Sequence, residues 1–303
     1  MSGLQTSRPG FAPVRTKGAR TSKGDTHLSD ETGFIFLHNG KVDLILSKVL
    51  PSLIKRGQNS FLKGITVMSN WLERTQTLIG QAALNKLQGA RIAVLGLGGV
   101  GGAACEALLR AGVGSLLLID RDTVSESNLN RQLFATTETV GMPKVMAAKK
   151  RLHSINPNCD IQAEESFYTA ESRQPLFSYH PDFVIDAIDM VSAKLDLIEV
   201  CQQKHIPLIS CLGTGNRLDP SKFQVGDISE TAGCGCGLAR VMRRELKKRG
   251  ITSQPVVFST EIPRTVCVDS ADGRHAPASI SFCPPVAGCL LAGYAVNYFI
   301  QQI

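Results

Sequence analysis

Arg91-Ile-Ala-Val-Leu-Gly96-Leu-Gly98-Gly99-Val-Gly101-Gly102 decides the reading of this chain. A short apolar run stops at a glycine, further glycines follow at the spacing G-x-G-x-x-G, and a helix-forming stretch opens at Ala103. Strand, tight turn and helix in that order make a phosphate loop. Gly96 permits the sharp turn, Gly98 lets backbone N–H groups approach a pyrophosphate, and Gly101 allows close packing of helix on strand, with Gly99 in the same cradle. The helix that follows offers its N-terminus to the anion. This pattern serves NAD and ATP alike, and a glycine turn that binds nothing is the bland alternative.

Working outward, the text alternates strands and helices. Ser115–Asp120 reads as a strand with an acid at its end, Lys144–Ile155 as a helix stopped by Asn156-Pro157 and Asp160–Glu164 as a strand. Asp182–Asp189 reads as a strand, Ser192–Lys204 as a helix and Pro207–Leu212 as a strand leading into Gly213-Thr-Gly215. Upstream, Trp71–Leu87 has helical periodicity, as one helix or as a pair around Gly80, and Ala103–Ala111 is a helix ended by Gly112. Downstream come a basic helix over Leu238–Arg249, a strand over Val256–Ser259, a polar loop over Thr265–Pro277 and an apolar closing helix over Val286–Ile300. Alternation of this kind predicts an α/β fold: a doubly wound, Rossmann-like, mostly parallel sheet with a C-terminal extension. Ligands are then expected outside the carboxyl ends of the strands.

The side chains after the glycine loop favour ATP. Asp120 is placed to accept hydrogen bonds from a ribose. The run Asn128-Leu-Asn130-Arg131-Gln132 is dense in phosphate- and sugar-binding groups, and Arg131 can fork onto phosphate oxygens. Lys144 falls in the first turn of a helix, where a cation opposes the helix dipole. A nearby phosphate gives that lysine a reason; a solvated surface position is the alternative. Hydride transfer needs little positive charge beyond the pyrophosphate, whereas nucleotidyl transfer builds charge on the phosphoryl oxygens. Asp186-Ala-Ile-Asp189 sets Asp189 in a loop above the sheet, placed to hold Mg between phosphates. A helix N-cap is its other reading and is compatible with the first.

Composition narrows the class further. The chain has 303 residues, 43% hydrophobic and 19% charged, with one Trp and four Tyr. That is ordinary for a folded protein and argues against an aromatic-rich nucleic-acid platform. The net charge of +7 is local: residues 1–67 hold ten of the 33 Lys and Arg but four of the 26 Asp and Glu, which is +6. The chain thus divides into residues 1–67, polar, basic and expected to be disordered or a non-native extension, and residues 68–303, the ATP-binding domain. A start codon placed too early, an accessory arm and a targeting peptide all stay open for the first segment. Nine cysteines, an odd number, several in apolar runs, favour reduced thiols and a cytoplasmic protein. Cys211 reads as a structural thiol, with an acyl-accepting role as the alternative, and Cys234-Gly-Cys236 as loop thiols. The closing helix is interrupted by Asn297 and rich in Gly and Ala, so a buried or interface helix is expected rather than stable insertion in a membrane.

Together, Gly96–Gly101, Asp120, Asn128–Gln132, Lys144 and Asp186–Asp189 resemble the ubiquitin-activating-enzyme superfamily, which includes the adenylyltransferases of molybdopterin and thiamin biosynthesis. Asn156-Pro157, Gly213-Thr-Gly215 with Asp219-Pro220, Val225-Gly-Asp227, the basic helix and Val257-Phe-Ser-Thr-Glu261 resemble one branch of it, the tRNA threonylcarbamoyladenosine dehydratases. The resemblance implies a ThiF-type fold from about Met68 onward. It implies that Gly96, Gly98, Gly99, Gly101 and Asp120 bind ATP, that Asn128, Arg131, Gln132 and Lys144 hold the triphosphate, and that Asp189 places Mg. It further implies that Arg74 reaches the ATP of a neighbouring subunit in a homodimer. The substrate would be tRNA bearing threonylcarbamoyladenosine, whose carboxylate is adenylated and then captured within the modification. Whether a sulfur-transfer partner takes part stays open. An activator of a ubiquitin-like sulfur carrier is the rival, although that branch commonly carries two CxxC pairs and no CxxC occurs here. An NAD-dependent dehydrogenase is the second rival. The basic helix, with Arg240, Arg243, Arg244, Lys247, Lys248 and Arg249, either tracks RNA phosphates or is a solvated face.

Overall fold

The computed structural model describes residues 71–269 and 275–301. The expected boundary near residue 67, and every expectation for residues 1–67, lie outside the described residues.

Seven strands form one sheet in the order β3-β2-β1-β4-β5-β7-β6. They are β1 (Arg91–Leu95), β2 (Ser115–Ile119), β3 (Asp160–Glu164), β4 (Phe183–Asp186), β5 (Leu208–Cys211), β6 (Phe223–Asp227) and β7 (Pro255–Ser259). All neighbours pair in parallel except β6, which runs antiparallel to β7. Strand β1 pairs with β2 on one side and β4 on the other. The chain order reverses there, so the loops after β1, β2 and β4 diverge and leave a crevice. The central strands carry unbroken apolar runs because both faces are covered.

The helices are α1 (Glu73–Ile79), α2 (Gln81–Gly89), α3 (Gly99–Ala111), α4 (Lys144–Ile155), α5 (Gln174–Ser178), α6 (Val191–Gln203), α7 (Gly237–Lys248) and α8 (Cys283–Ile300). One core joins α2, α3, α4 and α8 to a sheet face through Leu87, Leu108, Leu152 and Leu291. The other joins α5, α6 and α7 to the opposite face through Leu176, Leu197 and Met242. In α7 the buried residues Ala239, Met242 and Leu246 recur at helical spacing, which leaves Arg240, Arg244, Lys247 and Lys248 exposed and Arg243 half-buried. Each large side chain buried this way stabilises by about 1.5–3 kcal/mol.

Several boundaries differ from the sequence expectation. The first helical stretch is a pair, split at Gly80, whose φ of 82° few other residues adopt. Helix α3 begins at Gly99, inside the glycine loop and four residues before the expected start at Ala103. A Cβ at Gly101 would lie 1.8 Å from the Gly96 carbonyl oxygen, so the glycines bring this helix onto the strand. The expected strand to Asp189 stops at Asp186, whose Oδ1 accepts from the Ile188 N–H and turns the chain. The expected polar loop over Thr265–Pro277 contains a two-stranded antiparallel pair, β8 (Cys267–Asp269) with β9 (His275–Pro277). The closing helix α8 is long and apolar enough to cross a membrane, yet 44% of it is buried. It lies so close to α3 that a Cβ at Gly288 would meet the Val100 carbonyl oxygen at 2.2 Å. Its place is in the core, as expected.

Candidate adenylation site

The carboxyl ends of β1, β2 and β4 converge at the crevice. After β1, Gly96 turns with φ 86°, and a Cβ there would collide with the Ala187 carbonyl oxygen at 2.6 Å. Gly98 differs from its neighbours. Its φ of −71° suits any residue, and a Cβ built on it meets only Gln132 Nε2, at 3.9 Å. Its lack of a side chain therefore serves no packing need; it keeps open the space in front of the α3 N-terminus. Gly99 is confined between the Arg131 carbonyl oxygen and Pro284, each 2.9 Å from a notional Cβ.

After β2, the Asp120 carboxylate ties two loops together. Its Oδ2 accepts from the Leu97 N–H at 2.6 Å and its Oδ1 from the Asp122 N–H at 2.8 Å. Burial raises the Asp120 carboxyl above its ordinary value, and the Lys144 ammonium and these two N–H donors oppose that rise. Each oxygen retains a second lone pair for a ribose hydroxyl.

The next loop carries the cations. A short 3₁₀ turn over Glu126–Asn128 is closed by a capping box, with the Ser125 N–H donating to Asn128 Oδ1 at 3.1 Å. Asn128 is buried, so part of its capacity holds the loop in shape. Asn130 Nδ2 donates to the Ser279 carbonyl at 3.1 Å and moors the loop to the segment before α8. Arg131 Nη1 donates to the Ser127 carbonyl at 2.8 Å and to Asn130 Oδ1 at 2.9 Å. Both acceptors are neutral, and none of the described carboxylates pairs with Arg131. Burial pushes its pKa down, but a guanidinium stays charged, so this cation is positioned and uncompensated. Gln132 is buried, with its amide towards Gly98.

Lys144 is the first residue of α4 and is 8% exposed. Its Nζ lies 2.8 Å from Asp122 Oδ2. The sequence motivated this lysine only by a phosphate; the structure adds a counter-ion that offsets the repulsion of the helix N-terminus. After β4, Asp189 is exposed and makes no hydrogen bond or ion pair with any described residue. The N-cap of α6 is Met190, so the capping alternative for Asp189 does not hold. Its loop is braced from below by a buried ion pair, Lys194 Nζ to Asp186 Oδ2 at 2.9 Å, with both side chains at 0% exposure. Arg74 lies exposed on α1.

The structure thus brings Gly96, Gly98, Gly99, Gly101, Asp120, Asn128, Arg131, Gln132 and Lys144 to one crevice and sets Asp189 on the adjoining loop. Asp122, Lys194 and Asn130 do work that the sequence reading had not given them. An acid two residues after Asp120, and a lysine eight residues after Asp186, were the available signals. Cys211 is buried, donates to the Leu212 carbonyl at 3.3 Å, and burial pushes its thiol up to about 12, which suits a structural thiol and not an acyl acceptor. Cys236 Sγ accepts from the Ala239 N–H at 3.5 Å and so caps α7. Among the described residues no cluster of three or more His, Cys, Asp or Glu could hold a metal.

Known proteins share this sequence and this fold. The tRNA threonylcarbamoyladenosine dehydratase of Bacillus subtilis (strain 168) is 40% identical over 248 residues, covering 78% of this chain and 97% of the relative. The crystal structure of E. coli tRNA N6-threonylcarbamoyladenosine dehydratase in complex with AMP matches with a TM-score of 0.70 at 33% identity, covering 78% of this chain and 98% of that one. The same enzyme in complex with ATP matches with a TM-score of 0.69 at 32% identity and equal coverage. The ThiF family profile matches residues 72–302. By fold and by sequence, the chain belongs to the ThiF family.

Proposed function

We propose that this chain is an adenylate-forming enzyme that uses ATP to dehydrate threonylcarbamoyladenosine beside the anticodon of tRNA. The observation that carries the reading is the 40% identity over 97% of a tRNA threonylcarbamoyladenosine dehydratase, in a chain whose crevice has the form of an ATP site. The adenosine would sit over Asp120, which takes the ribose hydroxyls. The triphosphate would lie along Gly96–Gly101, in the space that Gly98 leaves open, against the α3 N-terminus. Lys144 and Arg131 would donate to its phosphate oxygens, with Asn128 and Gln132 beside them. Asp189 would hold Mg, which lowers the charge between phosphates. Its exposed, unengaged carboxylate suits that role.

A carboxylate oxygen of the substrate would attack the α-phosphorus as the bond to pyrophosphate breaks. The cations here do their work in that step, because negative charge grows on the phosphoryl oxygens. The carbamoyl nitrogen or oxygen of the same modification would then attack the acyl carbon, AMP would leave with the carboxyl oxygen, and the attacking group's proton would pass to solvent. The nucleoside loses the elements of one water. Ring closure within the substrate needs no protein nucleophile, since proximity supplies what a thiol would, consistent with the buried, high-pKa Cys211.

A homodimer, in which Arg74 reaches the partner subunit's ATP, is part of this proposal, as is action in the cytoplasm. The helix α7 is the proposed RNA surface, and not all of its six cations are free to serve it. Arg243 Nη1 donates to Thr231 O and Oγ1, both at 2.7 Å, so it is a strut, and Arg244, Lys248 and Arg249 share Glu245. Arg240 and Lys247 are exposed and pair with no described carboxylate. The deciding experiment is incubation with Mg-ATP and tRNA carrying the modification, followed by nucleoside mass spectrometry. Loss of one water mass is expected. AMP transfer to a carrier-protein terminus, with the nucleoside intact, would refute the reading in favour of the sulfur-carrier activator.

A further inference from the structure

The turn after β5 contains a buried cation that the phosphate side of the crevice does not use. Arg217 is 3% exposed. Its Nε donates to the Gly213 carbonyl at a long 3.4 Å, and its Nη1 is buried with no acceptor. No described carboxylate lies within ion-pair distance. A buried charge left without a partner is costly, so native proteins keep one where a ligand supplies the partner.

The backbone around Arg217 is fixed from three directions. Asn216 adopts φ 60°, uncommon for a residue with a side chain. It is held there by its own N–H on the Ala278 carbonyl at 2.8 Å, by Nδ2 on the Val266 carbonyl at 2.8 Å, and by the Ala278 N–H on Oδ1 at 2.7 Å. The Glu261 carboxylate accepts from the N–H groups of Leu218 and Asp219. Cys283 Sγ donates to the Arg217 carbonyl at 3.4 Å. The segment that grips Asn216 continues to Ser279, which receives Asn130 Nδ2, and to Pro284, which abuts Gly99. The Arg217 turn is therefore braced against the loop that presents Arg131. It follows the carboxyl end of β5, the strand that pairs with β4.

We propose that Arg217 receives the carboxylate of the acid to be adenylated and is a specificity-determining residue of the reaction. The inference rests on the function proposed above and deepens it. The donors proposed for ATP lie on the β1–β2 side of the crevice, whereas Arg217 follows β5, beyond β4 in the sheet, where an acid approaching the α-phosphorus from the side opposite those donors would meet it. A guanidinium matches the two oxygens of a carboxylate with its fork of donors. A substrate without that charge leaves the buried arginine unpaired and is rejected for that reason.

The test uses the full-length enzyme with tRNA carrying threonylcarbamoyladenosine, the same tRNA without the modification, and Mg-ATP. The wild type is expected to bind the modified tRNA more tightly. In Arg217→Gln the KM for modified tRNA should rise about 10- to 100-fold, the span of one charge-assisted hydrogen bond, and the preference for modified tRNA should disappear. The Kd for Mg-ATP should stay unchanged, and Arg217→Lys should recover part of the preference. Weakened Mg-ATP binding with the preference intact would overturn the proposal and assign Arg217 to a phosphate. An unchanged preference would also overturn it. If Arg217→Gln does not fold, the wild type and Arg217→Lys are compared on tRNA whose threonyl carboxylate is methyl-esterified. Equal binding of ester and acid by the wild type refutes the contact, and a penalty that shrinks in Arg217→Lys supports it. A wild type that never dehydrates the modified tRNA would sink the functional reading itself; dehydration by wild type and variant alike would sink only the role of Arg217.

Discussion

Gly98→Ala and Gly101→Ala, three positions apart at the N-cap and in the first turn of α3, should fail in opposite ways. At Gly98 a Cβ meets only Gln132 Nε2 at 3.9 Å, and φ is −71°. Alanine fits the fold there and lowers the entropy of the unfolded chain, which is worth about 0.4–1 kcal/mol in favour of folding. At Gly101 the Cβ would stand 1.8 Å from the Gly96 carbonyl oxygen and 3.2 Å from Ala187 Cβ. Neither can yield without separating α3 from β1, so a loss of about 3 kcal/mol or more is expected. For a domain of this size the melting temperature moves about 2–4 °C per kcal/mol, so Gly98→Ala should melt at or slightly above the wild type and Gly101→Ala about 6–12 °C below it. Ligand binding reverses the order of harm. The methyl of Gly98→Ala occupies the space proposed for the phosphates, and losing one or two charged hydrogen bonds weakens ATP by about 10- to 100-fold. With Mg-ATP at about 100 times the wild-type Kd, the wild type gains about 2.7 kcal/mol, or about 5–10 °C; a variant about 100-fold weaker gains about 0.4 kcal/mol, or about 1–2 °C. Scanning fluorimetry with and without nucleotide, backed by calorimetric Kd values, reads both quantities. A Gly98→Ala protein that keeps the full nucleotide shift would show that phosphate does not approach this position. One that melts far below the wild type without nucleotide would show that the open space at Gly98 has been misjudged.

Four further outcomes are expected. Lys194→Met leaves Asp186 charged and unpaired at 0% exposure and should cost about 3–5 kcal/mol in urea unfolding; a loss below about 1 kcal/mol would contradict the pairing. Asp189→Asn should not move the unfolding midpoint beyond about 0.5 kcal/mol, yet should raise the Mg concentration needed for pyrophosphate release; an unaltered Mg dependence would remove Asp189 as the metal residue. Burial raises the Asp227 carboxyl, but hydrogen bonds from Ser229, Ser253 and Gln254 together outweigh it and hold the group at about 2. Because the folded value is the lower one, its contribution is complete well above about pH 4 and lost as pH falls through about 2; Asp227→Asn should be less stable than the wild type near neutral pH, with the gap closing as pH falls through about 2 in urea titrations. Arg240→Glu with Lys247→Glu should weaken tRNA binding and reduce the salt slope of log Kd by about 1–2 while leaving the Mg-ATP Kd unchanged; an unaltered slope would remove α7 as the RNA surface.

How much the sequence disclosed depended on whether a feature was local. Strand β1 and helix α4 were legible to the residue, because an apolar run bounded by glycine and a periodic stretch ended by Asn156-Pro157 are local signals. The start of α3 was not, since glycine disfavours helix; the glycines there are instead required by close neighbours, Gly99 by the Arg131 carbonyl and Pro284 and Gly101 by the Gly96 carbonyl. The end of β4 was overrun because Ala187 and Ile188 continue the apolar pattern, and a single contact, Asp186 Oδ1 with the Ile188 N–H, stops it. Within the site, the residues proposed to touch phosphate were legible from their types and spacing. The residues that hold them were not. The pairing of Lys144 with Asp122 spans 22 positions, the mooring of Asn130 to Ser279 spans 149, and the isolation of Arg217 is a property of burial alone.

The two lysine–carboxylate pairs show why burial has to be known before such contacts can be interpreted. Lys144–Asp122 and Lys194–Asp186 are nearly the same length, 2.8 and 2.9 Å. In the first, the Asp122 side chain is 55% exposed; in the second, both side chains are at 0%. Water solvates Asp122 when its partner leaves, so exchanging that carboxylate for a phosphate oxygen costs about 0–1 kcal/mol. The Lys144 ammonium also has three protons, enough to keep Asp122 while it donates to a ligand. Water cannot reach Asp186, so the same exchange there would strand a buried charge at about 3–5 kcal/mol. The first pair can therefore hand its cation to a nucleotide as charge builds in the transition state, whereas the second can only hold the Asp189 loop at a fixed height above the sheet. Both lysines sit near the start of the helix that follows a strand of the crevice, and it is exposure of the counter-ion, not distance, that leaves one free to serve a ligand and makes the other a brace.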